Sequence, residues 1–103
     1  KDSSIVGVLS GGVPFATALA FKYNTNFAYI RQSKKRYGME NIIEGVIDYK
    51  KEIYLIDDVC TSGKSILNAK KEILKVNKDA KCHLVSVVNR KENSLDIESL
   101  IEI

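Results

Sequence analysis

Cysteine is scarce in this sequence. Cys60 and Cys82 are the only two, they form no CxxC pair, and with the single histidine, His83, they cannot supply the four ligands of a structural zinc site. Both are expected to be reduced thiols in a cytoplasmic protein. No apolar run approaches the roughly 18 residues of a membrane span and no basic-then-apolar leader opens the chain, so a membrane is not an expected partner. Strong charge of one sign is missing as well, since sixteen Lys and Arg against thirteen Asp and Glu leave a net charge of +3. So mild a balance gives no reason to expect nucleic acid as a partner unless the cations are gathered in one place. Linkers, internal repeats and low-complexity segments are lacking too. What is present is a chain of 103 residues, 45% hydrophobic and 28% charged, which is the make-up of one soluble globular domain. The chain begins on Lys1, as expected of a processed or excised piece of something longer.

Apolar runs and chain breakers alternate. Ile5 to Leu9 reads as a buried strand that enters the tight loop Ser10-Gly11-Gly12. Pro14 suits the first turn of a helix that Phe15 to Tyr23 continues and Asn24-Thr25-Asn26 closes. Phe27 to Ile30 is a second strand, and Arg31 to Asn41, polar and without periodicity, is expected to be a loop. Ile42 to Ile47 and Ile53 to Ile56 are further strands around a turn at Asp48 to Lys51. Between Ser65 and Val76, the residues Ile66, Leu67, Ala69, Ile73, Leu74 and Val76 predict one apolar helical face, with Lys70, Lys71 and Lys75 solvated. Leu84 to Val88 is another strand, and Leu95 to Ile103 fits strand or helix. The alternation predicts an α/β fold with a parallel sheet, buried on both faces by helices and joined by right-handed crossovers. Ligands of such sheets bind beyond the carboxyl ends of the strands, where the loops after Leu9, Ile30, Ile56 and Val88 emerge.

The strongest chemical signal is the stretch from Ile53 to Ser65, IYLIDDVCTSGKS, in which an apolar strand delivers Asp57 and Asp58 to a small-residue turn and a helix. Adjacent carboxylates repel unless a cation or hydroxyl groups take them up, which suits a magnesium-bound sugar. Thr61 to Ser65 supplies hydroxyls and backbone N–H groups at a helix N-terminus, a cradle for phosphate. Acid pair and cradle together point to a phosphorylated ribose. Helix capping by Asp58 or Ser62 is the bland reading of either residue alone. Ser62-Gly63-Lys64-Ser65 also matches the end of a nucleotide-binding GxxxxGK[ST] loop, but the first glycine of that pattern would fall on Asp58, whose charge would face the phosphates.

The segment Asp57 to Ser65 is similar to the phosphoribosyl pyrophosphate (PRPP) motif of the type I phosphoribosyltransferases. Gly11-Gly12-Val13-Pro14-Phe15-Ala16-Thr17-Ala18-Leu19-Ala20 and Arg31 to Gly45, with Tyr37-Gly38 and Ile43-Glu44-Gly45, resemble the orotate phosphoribosyltransferases, including the first domain of uridine monophosphate synthase. The likeness runs from about Val6 to Asn93 and implies one phosphoribosyltransferase core domain over residues 1–103, short beside the family, which has further segments at both ends.

The resemblance implies magnesium-dependent transfer of phosphoribose from PRPP to orotate, giving orotidine 5'-monophosphate and diphosphate in pyrimidine biosynthesis. It assigns Asp57, Asp58, Val59, Cys60, Thr61, Ser62, Gly63, Lys64 and Ser65 to PRPP, and the loop Ser10, Gly11, Gly12 and Val13 to the diphosphate. Magnesium would arrive with PRPP, with no direct protein ligand. The segment Arg31 to Gly38 corresponds to a mobile basic loop that closes over the partner's site in a homodimer; Lys35 falls on the catalytic lysine, Arg31 on a PRPP-binding arginine and Tyr37 on a tyrosine or histidine position. Four cations within six residues, Arg31, Lys34, Lys35 and Arg36, suit a lid over a departing diphosphate, a solvated loop being the bland alternative. Gln32 and Ser33 depart from the family's usual lysine and glutamate, and one cation is thereby lost. Arg90, by itself readable as a surface arginine, is assigned by resemblance to the orotate carboxylate, with Thr61 also touching the base. Cys82 and His83 fall at the opposite strand end and are expected to be structural. Two alternatives remain open: a PRPP-binding regulator or inactive relative, and a transferase for another base such as a purine.

Overall fold

A computed structural model describes residues 3–9, 11–35, 38–60, 62–90 and 97–102 of the chain. Strand β1 (Ser3–Val8) is buried from Ser4 to Val8, because it occupies the middle of the sheet. Helix α1 (Gly12–Tyr23) follows, closed by Asn24 in the left-handed conformation, and leads into β2 (Asn26–Lys35), parallel to β1. Strand β3 (Gly38–Gly45) then returns antiparallel along β2. On the other side of β1 lie β4 (Glu52–Cys60), helix α2 (Lys64–Val76), β5 (Lys81–Asn89) and β6 (Ile97–Glu102). The order across the sheet is β3-β2-β1-β4-β5-β6, parallel throughout except at β3.

Period-2 alternation distributes the apolar residues between the two helices. Val6, Val8, Ile53, Leu55 and Leu84 pack with Ile66, Ala69 and Ile73 of α2. Their neighbours Ile5, Ile56 and Tyr54 pack with Ala16 and Ala20 of α1, so the helices lie on opposite faces. On α1 the buried positions, Gly12, Ala16 and Ala20, are four residues apart and small, which brings the helix close to the sheet and leaves Phe15, Phe21 and Tyr23 exposed. This face is therefore only partly covered, contrary to expectation, with Tyr54 and Val85 half-buried.

The structure corrects several expected boundaries. Of the expected loop from Arg31 to Asn41, residues 31–35 and 38–41 are strand, since β2 and β3 pair antiparallel from Ala28↔Gly45 out to Lys35↔Gly38, and residues 36 and 37 lie outside the described residues. Its strand character is invisible to hydrophobic periodicity because residues 32–41 are almost wholly polar, and Ile47, expected in the strand, lies beyond it. Val76 is 61% exposed, and the buried face of α2 is carried by Ile66, Ala69 and Ile73, with Leu67 and Leu74 half-buried at its margins. Val76 keeps nearly the angular position of Ala69 but is the last residue of α2, at the exposed end of the helix. The ambiguous C-terminal segment is a strand, β6, added parallel to β5.

Candidate active site

The chain leaves β1 for a helix on one face and leaves β4 for a helix on the other. At this switch point the two connections part, opening a crevice at the carboxyl edge between adjacent strands. Residues from both connections meet there. A Cβ on Gly12 would collide with the Ile56 carbonyl, and one on Gly11 with the Asp58 carboxylate, so only glycine lets this backbone lie against the acid pair. Val13, expected in the same loop, is instead a helical residue of α1 with its Cα against Gly7.

Strand β4 runs further than expected and carries the acid pair within it. Asp57 is 8% exposed, and its Oδ1 accepts the Asp58 N–H at 2.8 Å. Burial lifts its carboxyl to about 6, a side-chain hydrogen bond with Asp58 adds to the rise, and the backbone N–H opposes it. Asp58 is less buried, and its Oδ1 accepts the Val59 N–H at 2.7 Å. Cys60 is buried, and desolvation followed by the charge of Asp57 pushes its thiol up, so it remains protonated at neutral pH and is no nucleophile. Val59 is exposed.

Beyond Cys60, Gly63 sits at φ 83°, the left-handed region that glycine tolerates, and turns the chain into α2. The helix has no side-chain N-cap; the Ser62 hydroxyl instead accepts the Lys64 N–H at 3.4 Å. Asp57, Val59, Cys60, Ser62, Gly63, Lys64 and Ser65 enclose a cavity of about 60 Å³ at this helix N-terminus, where amide groups and dipole favour an anion. Arg90 is joined to the same edge through its backbone, whose N–H bonds the Cys60 carbonyl at 2.7 Å, with its side chain exposed.

The structure thus brings together Gly11, Gly12, Asp57, Asp58, Cys60, Ser62 to Ser65 and the Arg90 backbone. Lys35 is placed by its backbone at the far end of the β2–β3 hairpin. Arg31 is also on the hairpin, where its Nε and Nη2 bond Glu44 Oε1 at 3.0 and 2.9 Å. Ser10, Arg36, Tyr37 and Thr61 lie outside the described residues. Glu44 and Tyr29, whose hydroxyl bonds Glu44 Oε2, were not anticipated; the missed signal was the pairing of the two chain segments as a hairpin. Ser86 was also missed; it stands opposite Asp57 in the next strand, and its buried hydroxyl has no hydrogen-bond partner among the described residues. Cys82 and His83 begin β5 at the other edge, His83 stacked on Tyr54 at 4.6 Å and paired with Glu52. Among the described residues no three His, Cys, Asp or Glu side chains converge as a metal site, and no helix is long and apolar enough to cross a membrane.

A sheet wound in both directions from β1, with an acid pair and a helix N-terminus at its switch point, defines an α/β domain of the carboxyl-edge ligand-binding class. Residues 1–101 match the phosphoribosyl transferase domain family, and the chain belongs to that family. It is 42% identical over 92 residues to an orotate phosphoribosyltransferase of Sulfolobus acidocaldarius, covering 89% of this chain and 46% of that protein. The chain spans about half the length of this curated relative. The fold matches that of orotate phosphoribosyltransferase from Aeropyrum pernix with a TM-score of 0.80 and 25% identity, over 100% of this chain and 62% of that one. A purine phosphoribosyltransferase from Pyrococcus horikoshii shares the fold at a TM-score of 0.75 and 20% identity, over 97% of this chain and 67% of that one.

Proposed function

We propose that this chain is the PRPP-binding core of an orotate phosphoribosyltransferase. The observation that carries the proposal is the abutment of the Asp58 carboxylate on Gly11, beside the cavity at the N-terminus of α2. One connection can hold a diphosphate, the other a 5-phosphate, and the acids between them the ribose hydroxyls. The choice of orotate rests on the 42% identical relative.

In the reaction the bond from the ribose C1 to the diphosphate breaks as a bond from C1 to orotate forms, through a cationic ribose. No protein nucleophile is needed, so catalysis consists of positioning and charge stabilisation. Asp57 and Asp58 hold the ribose hydroxyls and face the developing cation. Residues 61–65 grip the 5-phosphate, Ser10 to Val13 take the diphosphate, and Arg31 and Lys35 follow it as it leaves. Thr61 and Arg90 hold the base. Magnesium would arrive with PRPP, with no direct protein ligand, beside the carboxylates of Asp57 and Asp58, and would supply neutralisation of the diphosphate charge. The working form is a cytoplasmic homodimer with shared sites.

Titration calorimetry with PRPP and Mg²⁺, followed by an absorbance assay of orotate consumption, tests the reading. Saturable PRPP binding with orotate turnover supports it. Binding without turnover favours a regulator, turnover only with another base favours a different transferase, and no PRPP binding overturns the family role for this site.

A further inference from the structure

We propose that Glu44, braced by Tyr29, is a positioning residue that presents the end edge of the Arg31 guanidinium to the diphosphate of the ligand. The inference rests on the proposed PRPP-binding function. It begins from the antiparallel pairing, in which Tyr29 lies directly opposite Glu44 and Arg31 is two residues further along the same face of β2. Ile30 and Ile43, the intervening pair, face α2 and anchor the hairpin base in the core. Three polar side chains are thereby held on the other face over a fixed backbone.

Both Arg31 contacts go to one carboxylate oxygen: Nε donates to Oε1 at 3.0 Å and Nη2 lies 2.9 Å from the same atom. The second oxygen, Oε2, is taken by the Tyr29 hydroxyl. Glu44 is thus fixed at both ends, and it grips the guanidinium along the side formed by Nε and Nη2. A guanidinium carries five N–H donors in a rigid plane, so this grip leaves the end edge of Nη1 and Nη2, the edge that takes a phosphate in a bidentate fork. No described residue engages that edge. The Arg31 and Glu44 side chains are 38% and 37% exposed, open enough for an anion to reach the plane.

The charges agree with this arrangement. The Tyr29 hydrogen bond, then that of Arg31, holds the Glu44 carboxyl below its ordinary range, and the bond to Glu44 holds the Tyr29 hydroxyl above its own. Across neutral pH the carboxylate stays ionised and the phenol remains a donor, so the brace persists. An arginine aimed in this way loses less side-chain freedom when it binds a phosphate than one sampling many rotamers.

The competing role for Glu44 is that of an occupant which the diphosphate must displace, and the two roles predict opposite signs. Calorimetry with Mg²⁺ and inorganic diphosphate on wild type, Glu44→Ala, Glu44→Gln and Tyr29→Phe decides between them, with ribose 5-phosphate as the control for the α2 cradle. Glu44→Ala is expected to weaken diphosphate about tenfold and Tyr29→Phe by roughly threefold, while ribose 5-phosphate affinity stays unchanged in both. Glu44→Gln, whose amide oxygen still accepts from Arg31, should recover most of the loss. In an Arg31→Ala background, adding Glu44→Ala should cost nothing further. Diphosphate binding that is unchanged or tighter in Glu44→Ala overturns the inference, as does equal loss of both ligands. Failure of the wild type to bind PRPP removes the functional reading itself, and this inference with it.

Discussion

Replacing Asp57 with asparagine separates the energetic cost of the site from its chemistry. The carboxyl is 8% exposed, so solvent screens it little, and burial raises it from the ordinary 3.8 to about 6. At about 1.4 kcal/mol per pH unit, that rise corresponds to roughly 3 kcal/mol. The sign follows from proton counting. Between about pH 4 and pH 6 the folded protein keeps a proton on Asp57 that the unfolded chain has released, so this contribution to stability is complete in acid and is lost as pH rises through 6. Above that point the fold carries an ionised, largely desolvated carboxylate. An asparagine side chain in its place would have the same shape and no charge, and its amide could donate to Asp58 as the protonated acid does. Urea unfolding followed by circular dichroism should therefore find Asp57→Asn more stable than wild type by up to about 3 kcal/mol at pH 7.5, with the difference vanishing near pH 4. The same variant should lose PRPP binding. A stability difference that stays constant from pH 4 to pH 7.5 would refute the reasoning, since it would mean that Asp57 titrates alike in both states.

Lys35→Ala should lower orotate turnover more than tenfold while calorimetry still registers PRPP, because in the proposed role the lysine follows the departing diphosphate and so acts mainly in the transition state; unchanged turnover would remove the lid role. Gly11→Ala and Gly12→Ala should fail in different ways. The new methyl at position 11 meets the movable carboxylate of Asp58, whereas at position 12 it meets the fixed carbonyl of Ile56. The first should cost about 1 kcal/mol or less of stability but over tenfold in PRPP affinity, and the second roughly 2–3 kcal/mol of stability, with denaturant melts reading the stabilities and calorimetry the affinity. Ser86→Ala removes a buried hydroxyl with no hydrogen-bond partner among the described residues and should be neutral or stabilising by about 1 kcal/mol in the same melts.

The strand that carries the acid pair and its turn into α2 were legible because strand, turn and helix follow one another within Ile53 to Ser65, where each step has its own local signal. The layering was legible for the same reason: Ile53 and Leu55 alternate with Tyr54 and Ile56, and Ile66, Ala69 and Ile73 recur at helical spacing. The β2–β3 hairpin was not. Its outer half is polar in sequence, so no period-2 contrast marks the pairing there. With Arg31 to Asn41 read as a loop and the flanking strands as members of a parallel sheet, Tyr29, Arg31 and Glu44 could not be seen as neighbours. The approach of Gly11 to Asp58 was equally hidden, since it depends on which strands are adjacent.

That adjacency has a kinetic side. β1 and β4 pair residue by residue across about fifty positions of sequence, and closing so long a loop is slow relative to forming α1 or the β2–β3 hairpin. The two halves of the crevice come to face each other only when that pairing is made. A ligand that spans the crevice therefore recognises the completed central sheet and no partly folded form, so its binding energy is added wholly to the native state. On the proposed function, PRPP concentration becomes a folding variable: the melting temperature should climb with PRPP, because a ligand bound across the crevice would lock the two halves of the sheet together.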